Sequence, residues 1–215
     1  MGLRPRKKPN LIPRLEACQE LLLEGKEPGE IRKAFPEVSV PLHMEIGCGK
    51  GGFICEKAKQ MPETNFLAME REANVIISAL EMARETGIAN LRFILGDADD
   101  LLKQLIRPGE IACLYINFCD PWPKKRHAKR RLTHRSRLTQ YRELLAPEGE
   151  LHFKTDNQGL YEFSLEEFQA VFPPYFTTCD LHNSEYAEGN IMTEYERRFS
   201  DLGQPIYSIR ARKPQ

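Results

Sequence analysis

The sequence has no apolar run approaching the ~20 residues that a membrane helix needs. Its basic start, MGLRPRKKPN, carries no apolar stretch of the kind a secretory leader requires. The expectation is a cytoplasmic protein without a membrane role. Six cysteines are present (Cys18, Cys48, Cys55, Cys113, Cys119 and Cys179), but none forms a CxxC pair and no Cys/His spacing fits a zinc site. Free thiols in a reducing compartment are expected, and no metal. Internal repeats and low-complexity tracts are missing as well. Acids are missing from two stretches. Residues 121–142 hold nine Lys or Arg and no acid, and residues 1–15 hold five more and no acid. The whole chain balances 31 bases with 31 acids; setting those 14 bases aside leaves 17 against 31. The body is therefore acidic and carries two basic segments. A local polyanion-binding face needs that distribution, and the alternative is a pair of solvated charge runs.

With 215 residues, 41% of them hydrophobic, the chain suits one α/β domain with a short extension. Residues 1–40 read as a basic, proline-rich arm with a helical segment near Arg14–Leu23, where Leu15, Cys18 and Leu22 recur at helical spacing before Gly25 and Pro28 break the pattern. Residues 41–215 read as the main domain. Strands are expected at 42–46, 65–69, 91–95, 111–118 and 149–155, and helices at 51–60, 72–85, 136–145 and 157–171. The apolar run IACLYINF has the character of a strand buried on both faces. Repeated βα units imply a mostly parallel central sheet with helices on both faces, and the closing strands near 176–182 and 205–211 suggest an antiparallel edge strand.

Between the first strand and its helix lies Glu45-Ile46-Gly47-Cys48-Gly49-Lys50-Gly51. Glycines suit a tight turn that lets a ligand approach the backbone. Gly47-x-Gly49-x-x-Gly52 also matches a dinucleotide fingerprint, so NAD has to be weighed. The acids weigh against it. Glu70 ends the second strand about 20 residues past the loop, where a carboxylate can bind ribose hydroxyls of either cofactor. Asp97 follows the third strand and could accept from an adenine amino group or cap the next helix. Glu45 lies inside the strand before the loop, where it would repel an anionic pyrophosphate but favour the cationic amino group and sulfonium of S-adenosylmethionine.

After the fourth strand comes Asn117-Phe118-Cys119-Asp120-Pro121-Trp122-Pro123-Lys124-Lys125-Arg126-His127. In open α/β sheets the ligand crevice lies at the carboxyl ends of strands. A carboxylate there, beside a cationic and aromatic lip, suits a nucleobase arriving from a phosphate-lined surface. Trp122 is equally readable as a packing anchor. Lys124, Lys125, Arg126, Lys129, Arg130 and Arg131 are the expected phosphate contacts. Cys119 has no evident general base beside it, which argues against a covalent nucleophile. The residues alone reach an RNA base methyltransferase.

The segments EIGCGKGGF, NFCDPWPKKRHAKRRL, FKTDN and TEYERRF, in that order over about Leu42–Lys213, resemble the tRNA (guanine-N7-)-methyltransferase family. The resemblance implies a Rossmann-like class I methyltransferase fold and methylation of guanine 46 in the tRNA variable loop. It implies that Glu45, Glu70, Asp97 and Asp120 line the S-adenosylmethionine site, with Asp120 catalytic; Gly47 and Gly49 join them from the reading of the glycine loop. It further implies that Lys124, Asp156, Thr193, Glu194, Tyr195 and Glu196 meet the tRNA, where Lys125 and Arg126 join them as expected phosphate contacts; monomer and homodimer both stay open. Asp156 and Glu196, with Asp120 behind them, are the carboxylates that can read the N1–H and 2-amino donors of guanine. Three of these residues also have structural readings: Thr193 and Glu196 have the spacing of a helix capping box, and Asp156 that of a turn residue. Three rivals are an amino-group methyltransferase, against which DPWP differs from the Asp-Pro-Pro-Tyr type; an NAD-dependent oxidoreductase, for which no Tyr/Lys acid/base pair is evident; and a non-catalytic RNA-binding module.

Overall fold

The computed structural model describes residues 8–23 and 30–214, and the chain divides into two compact units, residues 1–107 and 108–215. The first seven residues of the basic lead, and the break expected at Gly25 and Pro28, lie outside the described residues.

The first unit begins with α1 (Leu11–Glu16) and then alternates strand and helix: β1 (Leu42–Ile46), α2 (Gly52–Gln60), β2 (Asn65–Glu70), α3 (Ala73–Glu85), β3 (Leu91–Leu95) and α4 (Ala98–Leu105). The three strands pair in parallel with β2 in the middle, Met44 beside Leu67 and Ala68 beside Phe93. Phe66, Leu67, Ala68 and Met69 are all buried, because a middle parallel strand is covered on both faces. Ile76, Ile77 and Leu80 of α3 add a buried helical stripe, each such side chain contributing ~1.5–3 kcal/mol.

The arm departs from expectation. Instead of one helix over 14–23, α1 ends at Glu16 and a 3-10 turn follows at Gln19–Leu21. The reason is β3. Leu22 forms a parallel bridge with Phe93, and the Leu23 N–H donates to the Phe93 carbonyl at 2.8 Å, so the backbone must be extended where the helical pattern ran on. An exposed strand edge is thereby covered. Arg14 grips both oxygens of Glu81 on α3 at 2.7 Å, and Arg84 donates to the Ala17 carbonyl at 2.7 Å, which seats α1 on α3.

The second unit contains β4 (Ile111–Asn117), a 3-10 segment at Lys125–Arg130, α5 (Arg135–Leu144), β5 (Leu145–Thr155), α6 (Gln158–Val171), β6 (Pro174–Thr178), α7 (Glu194–Ser200) and β7 (Tyr207–Arg212). β4 and β5 are parallel, with Ile116 beside Phe153. β7 is the expected antiparallel strand; it lies between β5 and β6 and runs against both. β5 starts at Leu145, four residues before the expected strand, and its register with β4 shifts between Ile111 and Cys113. Gly149 permits this: a Cβ there would lie 2.9 Å from the Ala146 carbonyl oxygen and 3.0 Å from that of Ile111. The strand expected over 176–182 stops at Thr178, whose hydroxyl donates to the Asp180 carbonyl and accepts from the Asp180 N–H, closing a turn.

Candidate active site

In the first unit the glycine loop is cinched to the end of β2. The Gly47 and Cys48 N–H groups donate to the Met69 carbonyl at 2.8 and 3.0 Å. One Glu70 oxygen accepts from the Gly49 N–H at 3.1 Å, and the other accepts from the N–H groups of Arg71 and Glu72 at 2.9 and 3.1 Å. Gly47 and Gly49 adopt φ of 80° and 59°, in the region that favours glycine, and a Cβ at either would meet nothing within 4 Å. The surface above this turn is thus open to a ligand. Gly51 differs: a Cβ there would strike Ala79 Cβ at 2.5 Å, so its lack of a side chain lets α2 and α3 approach.

Glu45 is buried in β1, 2% exposed. Burial first, then the charges of Glu45 and Glu70, push the Cys48 thiol far up, so two carboxylates are felt at the turn. Asp97 caps α4 by accepting from the Asp99 N–H at 2.9 Å. A glycine turn that bends left-handed, backed by acids, fits a cofactor that carries a cationic sulfonium beside a ribose. Glu70, Asp97 and Glu45 are the side chains that could hold it.

In the second unit the segment after β4 is strained on both sides of Asp120. Phe118 and Trp122 have φ of 52° and 41°, which non-glycine residues hold at a cost of ~1–3 kcal/mol each and which gather at functional sites. Arg131 holds this loop in place. Its Nε and Nη2 donate to the carbonyls of Pro121 and Trp122 at 3.0 Å, and its guanidinium lies 4.2 Å from the Phe163 ring centre. The expectation that Arg131 contacts phosphate is corrected accordingly: its donors serve the loop. Trp122 acts as an anchor, with His127 edge-on at 5.7 Å and the Arg130 guanidinium at 4.9 Å. Asp120, Lys124, Lys125, Arg126, Lys129 and Arg130 are exposed. Burial, reinforced by Asp120, pushes the Cys119 thiol up to about 12, which removes the thiolate that a covalent mechanism would use.

Asp156 follows the end of β5, and burial raises its carboxyl above the ordinary range. Its neighbours perform the turn chemistry. The Thr155 hydroxyl accepts from the Asn157 N–H at 3.1 Å, and Asn157 caps α6 by accepting from the Leu160 N–H at 2.8 Å. Tyr195 on α7 has its hydroxyl pushed up by burial and then by Asp156, with Asp120 adding and Arg198 opposing.

Glu196 is where sequence and structure part most clearly. It is 0% exposed. One oxygen accepts from Lys154 Nζ at 2.7 Å, the other from His182 Nε2 at 2.8 Å and Asn190 Nδ2 at 2.7 Å. The expected capping box is present as well, with the Thr193 hydroxyl accepting from the Glu196 N–H at 2.9 Å. Both oxygens are committed within the protein, so Glu196 anchors α7 and does not present a carboxylate to a base. Glu194 and Tyr195 face outward on the same turn. Lys154, His182 and Asn190 are the residues that sequence reasoning missed. The available signal was Lys154, a charge inside the apolar end of a strand.

The fold resembles that of an antibiotic-related methyltransferase, with TM-score 0.59 at 16% identity over 99% of this chain and 100% of that one. It also resembles the 16S rRNA methyltransferase KamB, with TM-score 0.59 at 11% identity over 81% and 88%. The phosphoethanolamine N-methyltransferase 2 of Haemonchus contortus, solved with S-adenosyl-L-methionine, gives TM-score 0.54 at 13% identity over 86% of this chain and 51% of that one. The fold is thus that of the Rossmann-like, S-adenosylmethionine-dependent methyltransferases. A family described as "Putative methyltransferase" matches residues 39–209. A relative from Listeria monocytogenes serotype 4b (strain F2365), named tRNA (guanine-N(7)-)-methyltransferase, is 46% identical over 215 residues, 98% of each chain. One of the same name from Staphylococcus aureus (strain Mu3 / ATCC 700698) is 43% identical over 212 residues, again 98% of each. The chain belongs to the tRNA (guanine-N7-)-methyltransferase family. Among the described residues no helix is long and apolar enough to cross a membrane.

Proposed function

We propose that the protein transfers the methyl group of S-adenosylmethionine to N7 of a guanine in tRNA, the guanine at position 46 of the variable loop. The observation that carries this reading is the left-handed Gly47–Gly49 turn, tied through Gly49 to Glu70 and open above its glycines. Near-full-length similarity to relatives named for this reaction supports it.

S-adenosylmethionine supplies an electrophilic methyl on a cationic sulfonium. Guanine N7 offers a lone pair and carries no proton, so no base is needed to make the nucleophile. The work left to the protein is alignment and charge stabilisation. Glu70 and Asp97 would hold the ribose and adenine of the cofactor, and Glu45 would favour its cationic sulfonium and amino group. Asp120 positions the reacting groups and stabilises the migrating positive charge. Asp156 is the carboxylate for the guanine Watson–Crick edge, since the oxygens of Glu196 are committed elsewhere. Lys124, Lys125 and Arg126 hold phosphates, and Thr193, Glu194 and Tyr195 border the acceptor base.

Incubation with methyl-labelled S-adenosylmethionine and unmodified tRNA transcripts, followed by digestion, tests the reading. The expected product is 7-methylguanosine, lost when guanine 46 is changed. Label in a different nucleoside would move the protein to an amino-group methyltransferase. In single-turnover assays the rate should stay nearly flat across neutral pH, and a steep rise following a carboxylate would overturn the positioning role of Asp120.

A further inference from the structure

The sheet of the second unit has one apolar face and one polar face. Leu151, Phe153, Ile209 and Ala211 of β5 and β7 are buried, with Phe153 against Phe168 of α6. Side chains alternate along a strand, so Glu150, His152, Arg210 and Arg212 share the other face, His152 across from Arg210 and Glu150 across from Arg212. The two arginines are used differently. Arg212 spends its charge on one oxygen of Glu150, to which its Nε and Nη2 donate at 3.2 and 2.7 Å. The other oxygen accepts from the Tyr175 hydroxyl at 3.0 Å and lies 2.7 Å from His152 Nε2. The Arg210 side chain pairs with no acid and donates to no carbonyl among the described residues. Its guanidinium lies 3.7 Å from the Tyr186 ring centre and 5.8 Å from that of Phe176, and those two rings meet edge to face at 4.5 Å.

A guanidinium laid on a ring uses its flat face and keeps the edge that carries its N–H groups. The turn bearing Tyr186 is itself fixed: the Tyr186 N–H donates to the Ser184 hydroxyl at 3.2 Å, and the Leu181 N–H to the Ile206 carbonyl at 2.7 Å. Arg210, Tyr186 and Phe176 are each half-buried. The face therefore holds a cation in one orientation, partly shielded from water, with its donors unspent. Such a fork suits an oxyanion that accepts two N–H bonds at once.

We propose that Arg210 binds a backbone phosphate of the tRNA, on the sheet face and not on the basic segment after β4. The proposal rests on reading the protein as a tRNA methyltransferase and adds a contact that the reading did not contain. Charge favours it. Arg210, Arg212 and the ionised Glu150 sum to one positive charge, and only Arg210 has donors left to present it. Position favours it as well. Ser208, on the same face two residues before Arg210, pairs with Lys154, whose Nζ holds Glu196 of α7. Two residues along a strand span ~7 Å, so an RNA strand that reaches the start of α7 passes within one such step of Arg210. A contact of this kind fixes where the RNA lies and carries no base preference.

The test is binding of a labelled tRNA transcript by the full chain, followed by fluorescence anisotropy over ~50–200 mM salt. Thermal stability and S-adenosylmethionine affinity are measured on the same samples. Arg210→Met keeps an unbranched side chain against the two rings and removes the charge. It should weaken tRNA binding roughly three- to tenfold near ~0.1 M salt and lower the slope of log affinity against log salt by ~0.7–0.9. Cofactor affinity and the rate at saturating tRNA should hold at the parent values, so the loss appears in KM and not in kcat. Arg210→Lys should keep the parent slope and recover only part of the affinity, because a point charge lacks the planar fork. A Met variant with the parent slope overturns the proposal, whether its affinity is unchanged or has fallen through lost packing. So does a Lys variant whose slope falls below that of the parent, which decides the matter if the Met variant does not fold. A parent protein that makes no 7-methylguanosine refutes the functional reading itself, an outcome separate from these.

Discussion

Lys154→Met tests the buried anchor directly. The substitution keeps a side chain of similar length and removes its charge. Lys154 and Glu196 side chains are 7% and 0% exposed, with N and O 2.7 Å apart. Removing one partner of a buried pair costs ~3–5 kcal/mol, because the other charge stays buried without it. Here His182 and Asn190 still donate to the carboxylate, at 2.8 and 2.7 Å, so the lower end applies, about 3 kcal/mol. In a domain of this size that lowers Tm by roughly 6–12 °C at pH 7. The pH dependence is the sharper signature. Burial alone would raise the Glu196 carboxyl; Lys154 and the hydrogen bonds bring it below its ordinary value. In the parent it therefore adds stability above its unfolded pKa of ~4.3, lost as pH falls through the lowered folded value. Without Lys154 burial wins and the folded value rises. The variant is then penalised at neutral pH and relieved as pH falls toward ~4.3. Urea denaturation at pH 7, 6 and 5 should show the gap between parent and variant widest at pH 7. A loss below about 1 kcal/mol at pH 7, or a gap that does not change with pH, would refute the assignment of a charged buried pair. Replacing both partners with apolar residues should restore much of the loss.

The two loop glycines should separate by assay. Gly51→Ala forces a Cβ against Ala79 at φ 84° and should cost about 2–4 kcal/mol in chemical denaturation. Gly49→Ala meets no neighbour within 4 Å; it should cost only about 1–2 kcal/mol and show itself chiefly as weakened S-adenosylmethionine binding by calorimetry. Neutralising Lys124, Lys125 or Arg126 should each weaken tRNA binding and reduce the slope of log affinity against log salt by roughly 0.7–0.9, with the methylated nucleoside unchanged. Arg131→Gln gives the opposite pattern. Losing the donors to Pro121 and Trp122 should slow methyl transfer at saturating tRNA by about tenfold or more, while the salt slope stays at the parent value.

Much of this was legible because local rules and tertiary demands agree. The runs at 42–46 and 91–95 become strands at those same bounds, and the 72–85 pattern becomes α3 with Glu72 as its cap. The misreadings occur where a distant partner decides. Leu22 and Leu23 carry helical spacing, yet β3 offers a hydrogen-bonding edge, and pairing with Phe93 outcompetes one more helical turn. Arg131 looks like its five basic neighbours, and only the carbonyls of Pro121 and Trp122, freed by the strained backbone between two prolines, turn it inward.

The Thr193–Glu196 segment shows the limit most plainly. A motif match treats its residues as one functional block, but successive helical residues are turned by about 100°, so two acids two positions apart face different ways. Glu194 is exposed and Glu196 is fully buried. Nothing within the motif distinguishes them, since the capping-box spacing is satisfied whichever way the carboxylate is also used. The deciding residue is Lys154, forty-two positions upstream. A lysine inside the buried end of β5 requires an acid, and the acid that answers it is removed from the surface. Tyr195, one place earlier on the same turn, is thereby left as the side chain that faces outward with its ring fixed.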